Sequence, residues 1–241
     1  MQVNMMNSLF DMDGTLVDST EGVVGAWELF AETYPGLDVH DILSSSHGVR
    51  TVENLRVHCG IEDPDELERE AVRFEAAIVH NSKKDGRKGI VALPGVREIV
   101  DELLPVGKLP NPRWAICTSA TRSYATAALT AAGLPLPDVF VVSEDVTKGK
   151  PEFDCILSHA PRPDPYLLGA KQCGANPSRC LVVEDAPAGI RSGRAAGCKT
   201  LGLITSHTSE QIEASQPDYV VKNLASMKRT ENGIEVVINT D

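Results

Sequence analysis

The sequence predicts an α/β protein, a parallel sheet with helices on both faces and one helical insertion. Three observations predict it. Short, nearly continuous apolar runs recur along the chain, each followed by a helical pattern, as expected of strands buried on both faces of a parallel sheet. Residues 20–89 break that rhythm, with helical patterns and no strand-like run. Two acidic pairs, Asp11 with Asp13 and Glu184 with Asp185, close two of the apolar runs, and open α/β sheets bind ligands at such strand ends.

In chain order, "MNSLF" runs directly into Asp11 and forms the first, short strand. In the 20–89 stretch, Leu67, Ala71, Phe74 and Ile78 recur at helical spacing. The polar "KKDGRKG" (83–89) reads as a linker back to the sheet. "RWAICTSA" (113–120) precedes an Ala-rich helical pattern, "VFVVSED" (139–145) is the next strand, and "CLVVEDA" (180–186) leads into the helical "PAGIRSGRAAG". "KTLGLIT" and "DYVVKN" finish the series. The expected division is a sheet domain of residues 1–19 and 90–241, with 20–89 as a helical unit above the first strand's C-terminal end.

Composition sets outer bounds. The 241 residues suffice for one α/β domain with an insertion, and 42% hydrophobic with 24% charged residues is ordinary for a water-soluble fold. The net charge of −11 argues against nucleic acid or an anionic membrane as partner. A phosphorylated small molecule remains open, because a metal ion and a few cations bind phosphate locally. Six cysteines include no C-x-x-C pair and read as reduced thiols. No signal sequence or run of about 20 apolar residues is seen, so a cytoplasmic protein is expected, acting as a monomer.

The chemistry starts from "DMDGT". Side chains two apart on an extended chain point the same way, so Asp11 and Asp13 face one site. Gly14 then permits a tight turn. Carboxylates this close repel each other unless a cation or a reaction uses them. With Glu184 and Asp185 converging from a second strand, the set suits a hard cation such as Mg²⁺. "TSATR" places Thr118 and Ser119 where hydroxyls can hold a phosphoryl oxygen, and "KGKP" aims Lys150 from a loop. Thr and Ser at such turns also cap helices, and a lone lysine is commonly solvated. The argument rests on the set.

In this order, "DMDGT", "TS", "GKP" and "EDAPAG" resemble the four motifs of the haloacid dehalogenase-like phosphatase superfamily. The resemblance runs from about residue 8 to 204. Within it, "SHGVRTVENL" (46–55) and "VVEDAPAGIRSGRAAGCKT" (182–200) are similar to fungal glycerol-phosphate and 2-deoxyglucose-6-phosphate phosphatases. The resemblance implies a Rossmann-like core with an inserted α-helical cap and a Mg²⁺-dependent phosphomonoesterase acting on a small polyol or sugar phosphate. It also implies roles. Asp11 is the nucleophile, and Asp13 protonates the leaving alkoxide and activates water. Asp11, the Asp13 carbonyl and Asp185 hold Mg²⁺ with support from Glu184, while Thr118 and Lys150 bind the transferring phosphoryl group. Ser119 joins the phosphate site, and His47, Arg50 and Asn54 contact the substrate from the cap. An acid two positions after the nucleophile suits release of an alcohol, which needs a proton. A sugar phosphomutase of the β-phosphoglucomutase type shares these core residues and is the alternative; a catalytically silent protein on the same fold is a third reading.

One departure stands out. In the family pattern "GKP" runs directly into something like "RPDPYL", whereas here "EFDCILSHAP" (152–161) intervenes before "RPDPYLLGA" resumes. The insertion adjoins Lys150 and is expected to lower stability or activity.

Overall fold

The computed structural model of the chain describes residues 2–3, 5–45, 49–146, 164–231 and 233–237. After β1 (Gln2–Val3) the chain enters β2 (Asn7–Phe10), turns, and leaves through β3 (Val17–Asp18) into four helices: α1 (Thr20–Ala31), α2 (Val39–Ser45), α3 (Thr51–Cys59) and α4 (Pro64–Asn81). It returns through β4 (Val91–Ala92), antiparallel to β3, into α5 (Val96–Leu103), β5 (Trp114–Cys117), α6 (Arg122–Ala131) and β6 (Phe140–Val141). From α7 (Asp164–Gln172) it continues through β7 (Cys180–Glu184), α8 (Pro187–Ala195), β8 (Lys199–Leu203), α9 (Ser209–Ala214) and β9 (Tyr219–Val221) to β10 (Met227–Thr230) and β11 (Gly233–Val236).

Six strands form one parallel sheet in the order β6-β5-β2-β7-β8-β9. These are the six apolar runs of the sequence. Successive side chains of β2 face opposite sides, so Leu9 packs with Cys117, Val141 and Tyr166. Phe10 packs on the other face with Ile116, Val183 and Leu129. Helices therefore cover both faces, and every residue of β2, β5 and β7 is buried. The chain builds outward from β2 first toward β5 and β6 and then toward β7, β8 and β9. That makes the C-terminal end of β2 the topological switch point of the sheet.

The four helices pack through an aromatic cluster. Phe30 lies 5.0 Å from Phe74 and 6.3 Å from Trp27 between ring centroids, and the Arg73 guanidinium stands 3.9 Å over its ring. In α4, Asp63 caps the first turn by accepting from the Glu66 N–H at 2.8 Å, with Pro64 at the first helical position. Leu67, Ala71, Phe74 and Ile78 form its buried stripe, as their spacing predicts. Where the helices meet the ribbon, Lys88 pairs with Asp18 at 2.6 Å and Arg87 with Glu28 at 2.7 Å.

Two elements are new relative to the sequence reading. The β3–β4 ribbon is two residues deep on each side, and β1, β11 and β10 form a small antiparallel sheet. Cys59, Cys117, Cys173, Cys180 and Cys198 are free thiols, and among the described residues no helix is long and apolar enough to cross a membrane. Residues 152–161 lie outside the described residues.

Phe30 is fully buried and its ring fills the centre of the helical layer. Phe30→Ala is expected to destabilise the protein by roughly 3–5 kcal/mol, read as a lowered midpoint in urea unfolding. A loss below about 1 kcal/mol would contradict this packing.

Candidate active site

Parallel pairing brings the acidic residues together. Phe10 pairs with Ile116 on one side and Val183 on the other, so Asp11, Thr118 and the Glu184–Asp185 pair emerge from three adjacent strands at one edge. The Asp11 N–H still donates to the Val183 carbonyl at 3.0 Å, which fixes Asp11 beside β7. Asp11, Glu184 and Asp185 are all buried, and each offers a carboxylate oxygen within 4.8 Å of the others. Three buried carboxylates at such separations are strongly unfavourable without a counter-charge. An all-oxygen donor set of this charge fits a hard divalent cation.

The carboxylates of Asp185 and Glu184 are held from behind. Thr15 donates to Asp185 Oδ1 at 2.7 Å, and Ser206 donates to Asp185 Oδ2. Thr205 donates to the Gly14 carbonyl at 2.5 Å, tying the loop after β8 to the turn after Asp13. Gly14 has φ 82°, and a Cβ there would run into the Asp185 carboxylate; both the left-handed backbone and the close approach require glycine. Glu184 Oε1 accepts from the Tyr166 hydroxyl at 2.7 Å, and Oε2 accepts from the N–H groups of Asp185 and Ala186, each at 3.1 Å. Burial, then the Glu184 charge, pushes the Tyr166 hydroxyl well above its ordinary pKa, which keeps it a donor.

Asp13 stands apart from the three-carboxylate cluster. Its Oδ1 accepts from Ser19 at 2.5 Å and from the Tyr124 hydroxyl at 2.7 Å. Burial, followed by the Asp13 charge, raises the Tyr124 hydroxyl well above its ordinary pKa. Asp11 and Asp13 open onto a cavity of about 90 Å³ that lies between the sheet edge and the helices. Thr118, Ser119, Ala120 and Tyr124 line its sheet side, and Trp27, Thr51, Asn54, Phe74 and Glu75 line its helical side. Thr118 Oγ1 accepts from the Ala120 N–H at 3.2 Å, leaving its own proton to give to an anion. Glu75 is buried on α4, and burial, with a smaller push from the Asp13 charge, raises its carboxyl above the usual range against the opposing hydrogen bonds from Thr121 and Thr51.

The structure therefore brings together Asp11, Asp13, Glu184, Asp185, Thr118, Ser119 and Asn54. Lys150 and His47 lie outside the described residues. Arg50 is not among the described residues that line the cavity. Its guanidinium donates to the main-chain carbonyls of Ser143 at 2.9 Å and Val146 at 2.7 Å, binding the start of α3 to the loop after β6. The next residue, Thr51, reaches the cavity instead. Sequence reasoning missed Ser19, Tyr124, Glu75, Tyr166, Thr205 and Ser206. Single hydroxyls and a glutamate on a helix carry no local signal, and only folding brings them to the carboxylates.

Gly189, on the first turn of α8, packs against Glu184, and a Cβ there would overlap the carboxylate. Gly189→Ala is expected to displace Glu184 and weaken divalent-cation binding by roughly 10–100-fold, the usual scale for loss of an outer support. Titration calorimetry with Mg²⁺ or Mn²⁺ measures this, and unchanged affinity in a folded variant would remove Glu184 from the set.

Known proteins are similar to this chain. The chain is 40% identical over 195 residues to hexitol phosphatase A of Escherichia coli, covering 81% of each chain. It is 33% identical over 229 residues to glycerol-1-phosphate phosphohydrolase 2 of Saccharomyces cerevisiae, covering 92% of this chain and 83% of that one. A hydrolase structure from Pseudomonas syringae superposes with TM-score 0.72 at 28% identity, over 91% of this chain and 94% of that one. The β-phosphoglucomutase of Clostridium difficile shares the fold at TM-score 0.72 and 20% identity, with 93% of each chain covered. The family model of the haloacid dehalogenase-like hydrolases matches residues 8–197, and the chain belongs to that family of enzymes.

Proposed function

We propose that this enzyme hydrolyses the phosphate monoester of a small polyol or sugar through a phosphorylated Asp11. The observation that carries the reading is the separation of two carboxylate roles at one cavity. Asp11 belongs to the cation-binding cluster, while Asp13 is held by two hydroxyl donors outside it. The names of the relatives, a hexitol phosphatase, glycerol-1-phosphate phosphohydrolases and 2-deoxyglucose-6-phosphate phosphatases, support a polyol or sugar ester.

On this reading an Asp11 carboxylate oxygen attacks phosphorus and the ester P–O bond breaks. The leaving alkoxide takes its proton from Asp13. Asp13, now a carboxylate, takes a proton from water, whose oxygen attacks the same phosphorus; the Asp11–phosphorus bond breaks and inorganic phosphate leaves. Thr118 holds a phosphoryl oxygen, with Ser119 beside it and Lys150 as the cationic partner. Asp11, the Asp13 carbonyl and Asp185 would hold Mg²⁺, with Glu184 in support. When bound, the ion offsets the repulsion between carboxylate and phosphate. Residues 20–89 act as a cap over this core. A cavity of about 90 Å³ is well below the roughly 300 Å³ at which small-molecule sites begin, so the cap has to move to admit substrate. The reaction takes place in the cytoplasm on a free small molecule, with the enzyme as a monomer.

The test is phosphate release, with Mg²⁺ or with EDTA, from hexitol, glycerol, 2-deoxyglucose and glucose phosphates. Turnover is expected to require the ion and to disappear in Asp11→Asn. Asp13→Asn is expected to lower kcat/KM on alkyl phosphates by roughly 10²–10⁴-fold, and far less on p-nitrophenyl phosphate, whose leaving group needs no proton. Equal losses on both esters would contradict the acid role, and metal-independent turnover would contradict the site.

A further inference from the structure

The residue left unexplained by this chemistry is Glu75. It lies on the cavity face of α4, among the apolar residues that pack the helices, and is 3% exposed. A buried carboxylate is costly in such a position and contributes nothing to packing that an apolar side chain would not. Three donors nevertheless fix it. Thr51 donates to Oε1 at 2.8 Å, the Thr121 N–H reaches Oε1 at 3.4 Å, and the Thr121 hydroxyl donates to Oε2. Thr121 also caps α6, accepting from the Tyr124 N–H at 3.3 Å, and Tyr124 holds Asp13. Glu75 is thus pinned opposite the acid, where the alcohol portion of an ester has to lie.

We propose that Glu75 is the specificity-determining residue of this site, admitting esters whose alcohol portion is uncharged and bears hydroxyls and rejecting those with a second anionic group. The inference rests on the phosphatase reading above. A carboxylate has about four acceptor positions and three are used by Thr51 and Thr121, which leaves room for one substrate hydroxyl. A second phosphate or a carboxylate placed there meets a like charge in a desolvated pocket. Among the described residues, those lining the cavity include no Lys, Arg or His to offset it.

Glycerol 3-phosphate and 3-phosphoglycerate share a carbon skeleton and differ by a CH₂OH group in place of a carboxylate. Steady-state kinetics on this pair, with p-nitrophenyl phosphate as the report of basal chemistry, test the inference. Wild-type enzyme is expected to prefer glycerol 3-phosphate in kcat/KM by about 100-fold or more, the scale of a like-charge juxtaposition. Glu75→Gln is expected to narrow that ratio by about tenfold or more, through KM for 3-phosphoglycerate. Equal wild-type kcat/KM for the two esters overturns the inference, as does an unchanged ratio in a folded Glu75→Gln. If that variant does not fold, the wild-type ratio decides alone. Turnover of p-nitrophenyl phosphate without discrimination defeats only the role of Glu75, whereas no turnover of any ester defeats the phosphatase reading as well.

Discussion

The structure depends on one electrostatic constraint, the burial of Asp11, Glu184 and Asp185 within a few ångströms of one another. Like charges in a low-dielectric site repel strongly, and the surrounding fold is arranged so that they are tolerated together. The parallel register of β2 with β5 and β7 delivers them, and the rigid, fully buried strands prevent them from moving apart. Hydroxyls of Thr15, Ser206 and Tyr166 and two N–H groups at the start of α8 supply donors on the protein side. The N-terminus of α8 adds the positive end of a helix dipole. A divalent cation held by these carboxylates would complete the balance and reduce the repulsion between a carboxylate and an approaching phosphate.

A second layer of contacts ties the helices to the sheet at the same place. Arg50 grips the loop after β6 through two main-chain carbonyls, and Glu75 grips the start of α6 through Thr121. Thr51, between them in space, donates to Glu75. The helices themselves are stiffened by the Phe30, Phe74 and Trp27 cluster. Any opening therefore breaks polar contacts over the cavity and leaves the apolar packing intact. The short β3–β4 ribbon carries the chain into and out of the four helices. The contacts that tie the helices to the sheet here also fix Glu75 at the cavity.

Much of this was legible in the sequence. All six sheet strands are visible because strands buried on both faces read as apolar runs, and the helical insertion is visible because its period changes to that of α4. Asp11, Asp13, Glu184 and Asp185 are visible because paired carboxylates at strand ends have few structural uses. Other features stayed hidden for physical reasons. Strands of two residues, such as β1 and β3, have no period, and β10 is half-exposed and polar. Tyr124 lies 111 positions from Asp13, and Glu75 lies 46 from Thr121; no local pattern encodes such pairs. Arg50 illustrates the same limit: a cation near the expected pocket suggests a ligand contact, and the main-chain carbonyls of Ser143 and Val146 that its Nη2 reaches in the fold carry no local signal.

The central claim is that the buried carboxylate of Asp11 carries the phosphoryl group between substrate and water. Acid quenching during turnover of a polyol phosphate, followed by peptide mass spectrometry, tests it directly. Phosphate is expected on the peptide containing Asp11 and absent in Asp11→Asn. Phosphate on another side chain, or sustained turnover by Asp11→Asn, would contradict the account.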